Sequence, residues 1–126
     1  MLKPDQFVYD DAKKLFDWLA TQNMVPNTKV LSFGSKEIQE LKFALSPYLN
    51  SVPLLTTLSY KRDYIATNFR GETGYLIDDK FGQQLPNGWV EIHLARDASK
   101  NLVTKLGDSI WRIQSLKGAE QILQTP

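Results

Sequence analysis

The sequence predicts an α+β domain: an antiparallel sheet of about five or six strands, with two N-terminal helices packed on one face and a third helix between the last strands. Three observations carry this. Early in the chain, apolar residues recur at three- and four-residue spacing, interrupted by one short strand-type run. The middle of the chain changes to short runs rich in β-branched and aromatic residues, separated by charged or glycine-containing turns. Those runs follow one another at turn-length spacing, which implies antiparallel neighbours.

Residues 5–22 read as the first helix. Val8, Ala12, Leu15, Phe16 and Leu19 gather on one face. Asp10 with Lys14, and Lys13 with Asp17, are spaced for ion pairs worth about 0.3 kcal/mol each. Asn23 and Pro26 end it. Val30, Leu31 and Phe33 form a strand-type run. Ser35 then caps a second helix, with Glu37 where the helix dipole favours an anion and Ile38, Leu41, Leu45, Tyr48 and Leu49 on its apolar face. Pro47 ends or kinks it near Leu45.

Leu54–Tyr60, Tyr64–Phe69 and Tyr75–Asp78 read as strands, with Lys61-Arg62-Asp63 as a polar turn and Gly71 and Gly74 as positive-φ turn residues. Pro86-Asn87-Gly88 is the turn before the cleanest strand, Trp89–Ala95. There Val90, Ile92 and Leu94 alternate with Trp89, Glu91, His93 and Ala95, giving one apolar and one mixed face. Asp97 caps a third helix carrying Ser99, Leu102, Val103 and Leu106 on one face, closed by Gly107. Ile110–Leu116 returns to strand, and Ala119–Leu123 adds a helical turn.

At 126 residues, with 42% apolar and 11% aromatic residues, the chain reads as one domain, 1–126, with an ordinary core. Fifteen basic residues against fourteen acidic ones leave a net charge of +1, which makes nucleic acid an unlikely partner and gives no attraction to an anionic membrane. The absence of cysteine excludes disulfides, thiolate metal sites and a cysteine nucleophile. No apolar run approaches membrane-helix length, and no leader-type run opens the sequence. The expectation is a cytoplasmic protein without a membrane segment.

The candidate chemistry centres on the mixed face of the Trp89–Ala95 strand. Glu91 and His93, two apart, project to the same side, and Asp78 and Asp79 close an earlier strand that could neighbour it. Carboxylates with one imidazole can hold a divalent cation that activates water. The spacing resembles the acid, then Glu-x-Lys, pattern of restriction-type nucleases, but His93 stands at the lysine position and the element order differs. The competing reading is a set of solvated residues on a half-exposed strand. His93 is the single histidine, so any imidazole chemistry runs through it. No Gly-x-Ser-x-Gly elbow marks a serine partner. Gly34-Ser35 offers a turn before a helix but neither phosphate-loop pattern, so no cofactor is implied.

Aromatics interleaved with basic residues occur at Tyr60-Lys61-Arg62-Asp63-Tyr64 and at Phe69-Arg70. Such a pattern can grip single-stranded nucleic acid; it also makes an ordinary polar turn with inward rings. Trp89, Glu91 and His93, with Tyr64 and Tyr75 on neighbouring strands, form the candidate partner-binding patch, the alternative being a Trp89 covered by a helix. Three function classes follow. The first is a small non-catalytic protein-binding domain of inhibitor, immunity, antitoxin-like or adaptor type, with another protein as partner. The second is a small-molecule-binding protein or enzyme with a pocket between sheet and helices. The third is a metal-dependent hydrolase or nuclease using Glu91, His93 and Asp78 or Asp79. The edges of an antiparallel sheet also allow a homodimer.

Overall fold

A computed structural model describes residues 10–24, 27–33, 54–95 and 102–124. The chain divides into two compact units, Met1–Ser59 and Tyr60–Pro126. Its class is α+β. The described residues hold three helices, a four-stranded mixed sheet and a separate pair of strands.

In the first unit, helix α1 spans Asp10–Thr21 and strands β1 and β2 span Val30–Phe33 and Leu54–Thr57. Leu15 and Leu19, four apart, are the buried pair of α1. The helix stops because Asn23 takes a left-handed conformation, φ 57°. The Met24 N–H then returns to the Leu19 carbonyl at 2.9 Å and the Asn23 N–H to the Ala20 carbonyl at 3.2 Å. This is a Schellman cap, and asparagine is the residue after glycine that best tolerates its φ. Strands β1 and β2 pair in parallel, Val30 opposite Leu54 and Phe33 opposite Thr57. Residues 5–9 of the expected first helix and the whole expected second helix lie outside the described residues.

The second unit contains α2 (Lys61–Asn68), β3 (Gly74–Asp78), β4 (Trp89–Leu94), β5 (Val103–Gly107), β6 (Ile110–Ile113) and α3 (Lys117–Leu123). The sheet order is β3-β4-β6-β5. Strands β3, β4 and β6 run parallel, and only β5 is antiparallel to its neighbour. The expected antiparallel meander is therefore corrected. Parallel neighbours normally need a helical crossover, yet β3 and β4 are joined by residues 79–88 with no helix between them. The lengths permit it: a strand of about five residues is roughly 17 Å long, and a ten-residue link reaches roughly 33 Å when extended.

Two further expectations are corrected. Tyr64–Phe69, read as a strand, lies in and just beyond α2. Its aromatic and β-branched run looked extended, but Ile65 is buried to 2% and the turns are closed by Phe69 N–H to Ile65 carbonyl and Asn68 Nδ2 to Tyr64 carbonyl. Burial of one side chain outweighs a weak strand preference. Leu102–Gly107, read as helix, is the run-in and body of β5. The two-residue turn Asp108-Ser109 folds β5 back onto β6, with a register irregularity between Lys105 and Gly107. Residues 96–101, including the expected cap Asp97, lie outside the described residues.

The core of this unit is on the face carrying Ile92 and Ile113, both fully buried. Helix α3 closes that face with Ala119 and Ile122, and a Cβ on Gly118 would sit 3.0 Å from Ile113 and 3.1 Å from Val103. The opposite face meets α2 and the turn after it. Lys61 reaches Asp78 there, and the Phe69 and Trp89 rings lie 6.1 Å apart. Helices thus meet both faces of this sheet.

Candidate functional site

Strand register brings the candidate residues together. Asp78 stands opposite His93, His93 opposite Arg112, and Arg112 opposite Thr104, so one row crosses the whole sheet on the α2 side. Glu91 sits one step back on the same face, beside Leu76 and Ile110. The row lies toward the carboxyl ends of three parallel strands, the end at which open sheets of this kind carry their sites.

Asp78, Glu91 and His93 each have assigned partners. Asp78 pairs with the Lys61 ammonium, and both side chains are largely buried. It also accepts from Gln83 Nε2 at 3.1 Å and from the Lys80 backbone N–H at 3.2 Å. Glu91, only 3% exposed, accepts the backbone N–H of Gly82 at 2.8 Å and that of Gln83 at 3.1 Å. His93 Nδ1 lies 3.1 Å from Arg112 Nε. Arginine can only donate, so Nδ1 is the acceptor and Nε2 carries the hydrogen. That Nε2–H donates to the Asp79 carbonyl at 3.1 Å. Asp78, Glu91 and His93 all bind backbone of residues 79–83. The row fastens the link that lets β3 and β4 run parallel.

The two neighbouring aspartates titrate in opposite directions. Burial alone would raise the Asp78 carboxyl, but the hydrogen bonds from Lys61 and Asp79, the Lys61 charge and the Lys80 N–H together hold it below 3.8. Asp79 is pushed above 3.8, first by its hydrogen bond to Asp78, then by burial and by the Asp78 charge.

The pinned link carries an exposed aromatic. Phe81 is 51% exposed, with its ring 5.2 Å from the His93 ring and the Arg112 guanidinium 5.4 Å from its centroid. Tyr60 is 56% exposed, with Arg62 at 4.4 Å and the ammonium of Lys80, a residue of the same link, at 5.3 Å from its ring. Arg62 also reaches the Gln84 side chain across 3.2 Å. Both rings are exposed and each is flanked by cations.

The patch expected from sequence is distributed differently. Trp89 is half-buried between Phe69 and Gly74, where a Cβ would fall 2.9 Å from its ring. Gly74 is therefore a strand residue that makes room for indole, while Gly71 takes the positive φ expected of a turn. Tyr64 lies on α2, 6.2 Å from Phe69. Tyr75 is exposed but projects from β3 opposite to Gly74 and Asp78. The structure brings Trp89, Glu91 and His93 onto one face and leaves Tyr75 on the other.

Asp78, Glu91 and His93 do not converge on a common point: no group of three His, Asp or Glu side chains among the described residues could hold one cation. No helix among the described residues is long and apolar enough to cross a membrane. Residues that sequence reasoning passed over are Lys80, Phe81, Gln83 and Arg112. Arg112 had a signal, a polar residue alternating with Trp111 and Ile113, but its place beside His93 depends on register. The chain matches no family model, no curated protein and no solved structure.

Proposed function

We propose that this chain is a non-catalytic protein-binding domain, and that the surface it offers is the Tyr60–Phe81 pair with Arg62, Lys80 and Arg112. One observation carries the reading. The side chains best suited to catalysis, Asp78, Glu91 and His93, are committed to backbone of the link, and that link displays Phe81. A ring on a pre-organised connection loses little freedom when it is covered. Aromatic and arginine side chains of this kind dominate protein interfaces. The flanking cations favour a partner surface carrying carboxylates.

The test is affinity capture from native lysate with nuclease present, comparing the wild-type chain with Phe81→Ala, Tyr60→Ala and Tyr75→Ala. A stoichiometric protein partner is expected, weakened by at least about tenfold in the first two variants, the loss typical of a binding anchor. Tyr75→Ala, on the other side of the sheet, is expected to bind normally. Retention that is indifferent to Phe81 and Tyr60, or a partner that vanishes with nuclease, would sink the proposal.

A further inference from the structure

A cleft of about 360 Å³ lies between residues 82–88 and the starts of β4 and β6. We propose that it binds a small organic cation, an ammonium or guanidinium on a flat apolar body. Glu91 would meet the charge and Trp89 the body. The cleft shares Gln84, the partner of Arg62, with the rim of the Tyr60–Phe81 surface, but its occupancy does not depend on that surface's binding a protein.

The volume falls in the range of small-ligand sites, roughly 300–1,000 Å³. Leu85, Pro86, Trp89 and Ile110 supply apolar walls, and Glu91 also lines the cleft. Glu91 is the chemically decisive member. A carboxylate offers about four acceptor positions, and Glu91 uses two of them, on the Gly82 and Gln83 N–H groups. Among the described residues no lysine, arginine or histidine pairs with it. Asp78, by contrast, has Lys61. The two N–H donors offset part of the cost of burying this carboxylate, and a cationic group entering the cleft would add the charge partner that no described lysine, arginine or histidine supplies. Trp89 also lines the cleft, and an aromatic side chain there adds attraction for a cation. The ligand is compact, because the cleft is bounded by a link whose backbone is fixed at 82 and 83.

The experiment titrates the full ¹⁵N-labelled chain with tryptamine, tyramine and phenylguanidine, and with 3-ethylindole as an uncharged counterpart of tryptamine. At least one cation is expected to shift the Gly82, Gln83, Gly88 and Ser109 amides saturably. 3-Ethylindole should bind at least about tenfold more weakly than tryptamine, the difference that one buried charge contact makes. Glu91→Gln should reduce cation binding by at least about tenfold. If that variant does not fold, Ser109→Trp, at the exposed rim, should abolish binding while the remaining spectrum is kept. Failure of all three cations to shift those amides overturns the proposal. So does equal binding of 3-ethylindole, or undiminished binding by a folded Glu91→Gln or Ser109→Trp.

Discussion

Asp78 and Asp79 are adjacent in sequence and opposite in effect. Asp78 is held below 3.8 against its own burial, chiefly by Lys61, so the fold prefers its charged form. Its contribution to stability is complete above 3.8, and it is lost as pH falls through the lowered folded value. Asp79 is raised, first by its hydrogen bond to Asp78, so the fold prefers its protonated form and its charge opposes folding at neutral pH. Urea unfolding as a function of pH should separate the two. Asp78→Asn is expected to lower stability at neutral pH and to flatten the loss on acidification. Asp79→Asn is expected to leave stability unchanged or raise it slightly at neutral pH, since that residue is largely exposed. Equal destabilisation by both variants would contradict the assignment. Sequence alone placed these residues at the end of a strand. It could not separate their roles, because that difference comes from Lys61, whose partner is set by tertiary structure.

At the scale of elements, legibility followed the strength of the local signal. Strand β4 has clean alternation and was readable to within a residue, as were α1's end at Asn23 and the Pro86–Gly88 turn, where the Trp89 N–H reaches the Pro86 carbonyl at 3.1 Å. Helix α2 was not, because it is short and holds a single buried residue, Ile65, with no amphipathic repeat to announce it. Strand β5 was missed for the opposite reason. Leu102, Val103 and Leu106 imitate helical spacing, while pairing with β6 through a two-residue turn decides the matter. Helix α3 is held by close approach, since a Cβ at Gly118 would lie 3.0 Å from Ile113. Gly118→Val should overfill that contact and destabilise the domain by about 1–3 kcal/mol, read from the denaturant midpoint. A neutral substitution would show that α3 does not pack on Ile113 and Val103.

Across the whole molecule, the α+β class was legible and the topology was not. Turn-length spacing suggested antiparallel neighbours, yet residues 79–88 return along the sheet without a helix, and side-chain bonds from Asp78, Glu91 and His93 fasten that economical path. The same physics governed the site. Alternation put Glu91 and His93 on one face, as the sequence indicated, but their partners Gly82, Gln83 and Arg112 follow from register and from the path of the link. Asp78, Glu91 and His93, a set that looked catalytic, each bind backbone of that connection. Amide hydrogen exchange at Gly82 and Gln83 measures that fastening directly, in the wild-type chain and in Glu91→Ala. Both amides should exchange at least about tenfold more slowly than those of Phe81 and Gln84 in the wild type, and at their neighbours' rates in the variant. Unprotected Gly82 and Gln83 amides in the wild type, or protection that survives loss of the Glu91 carboxylate, would contradict it.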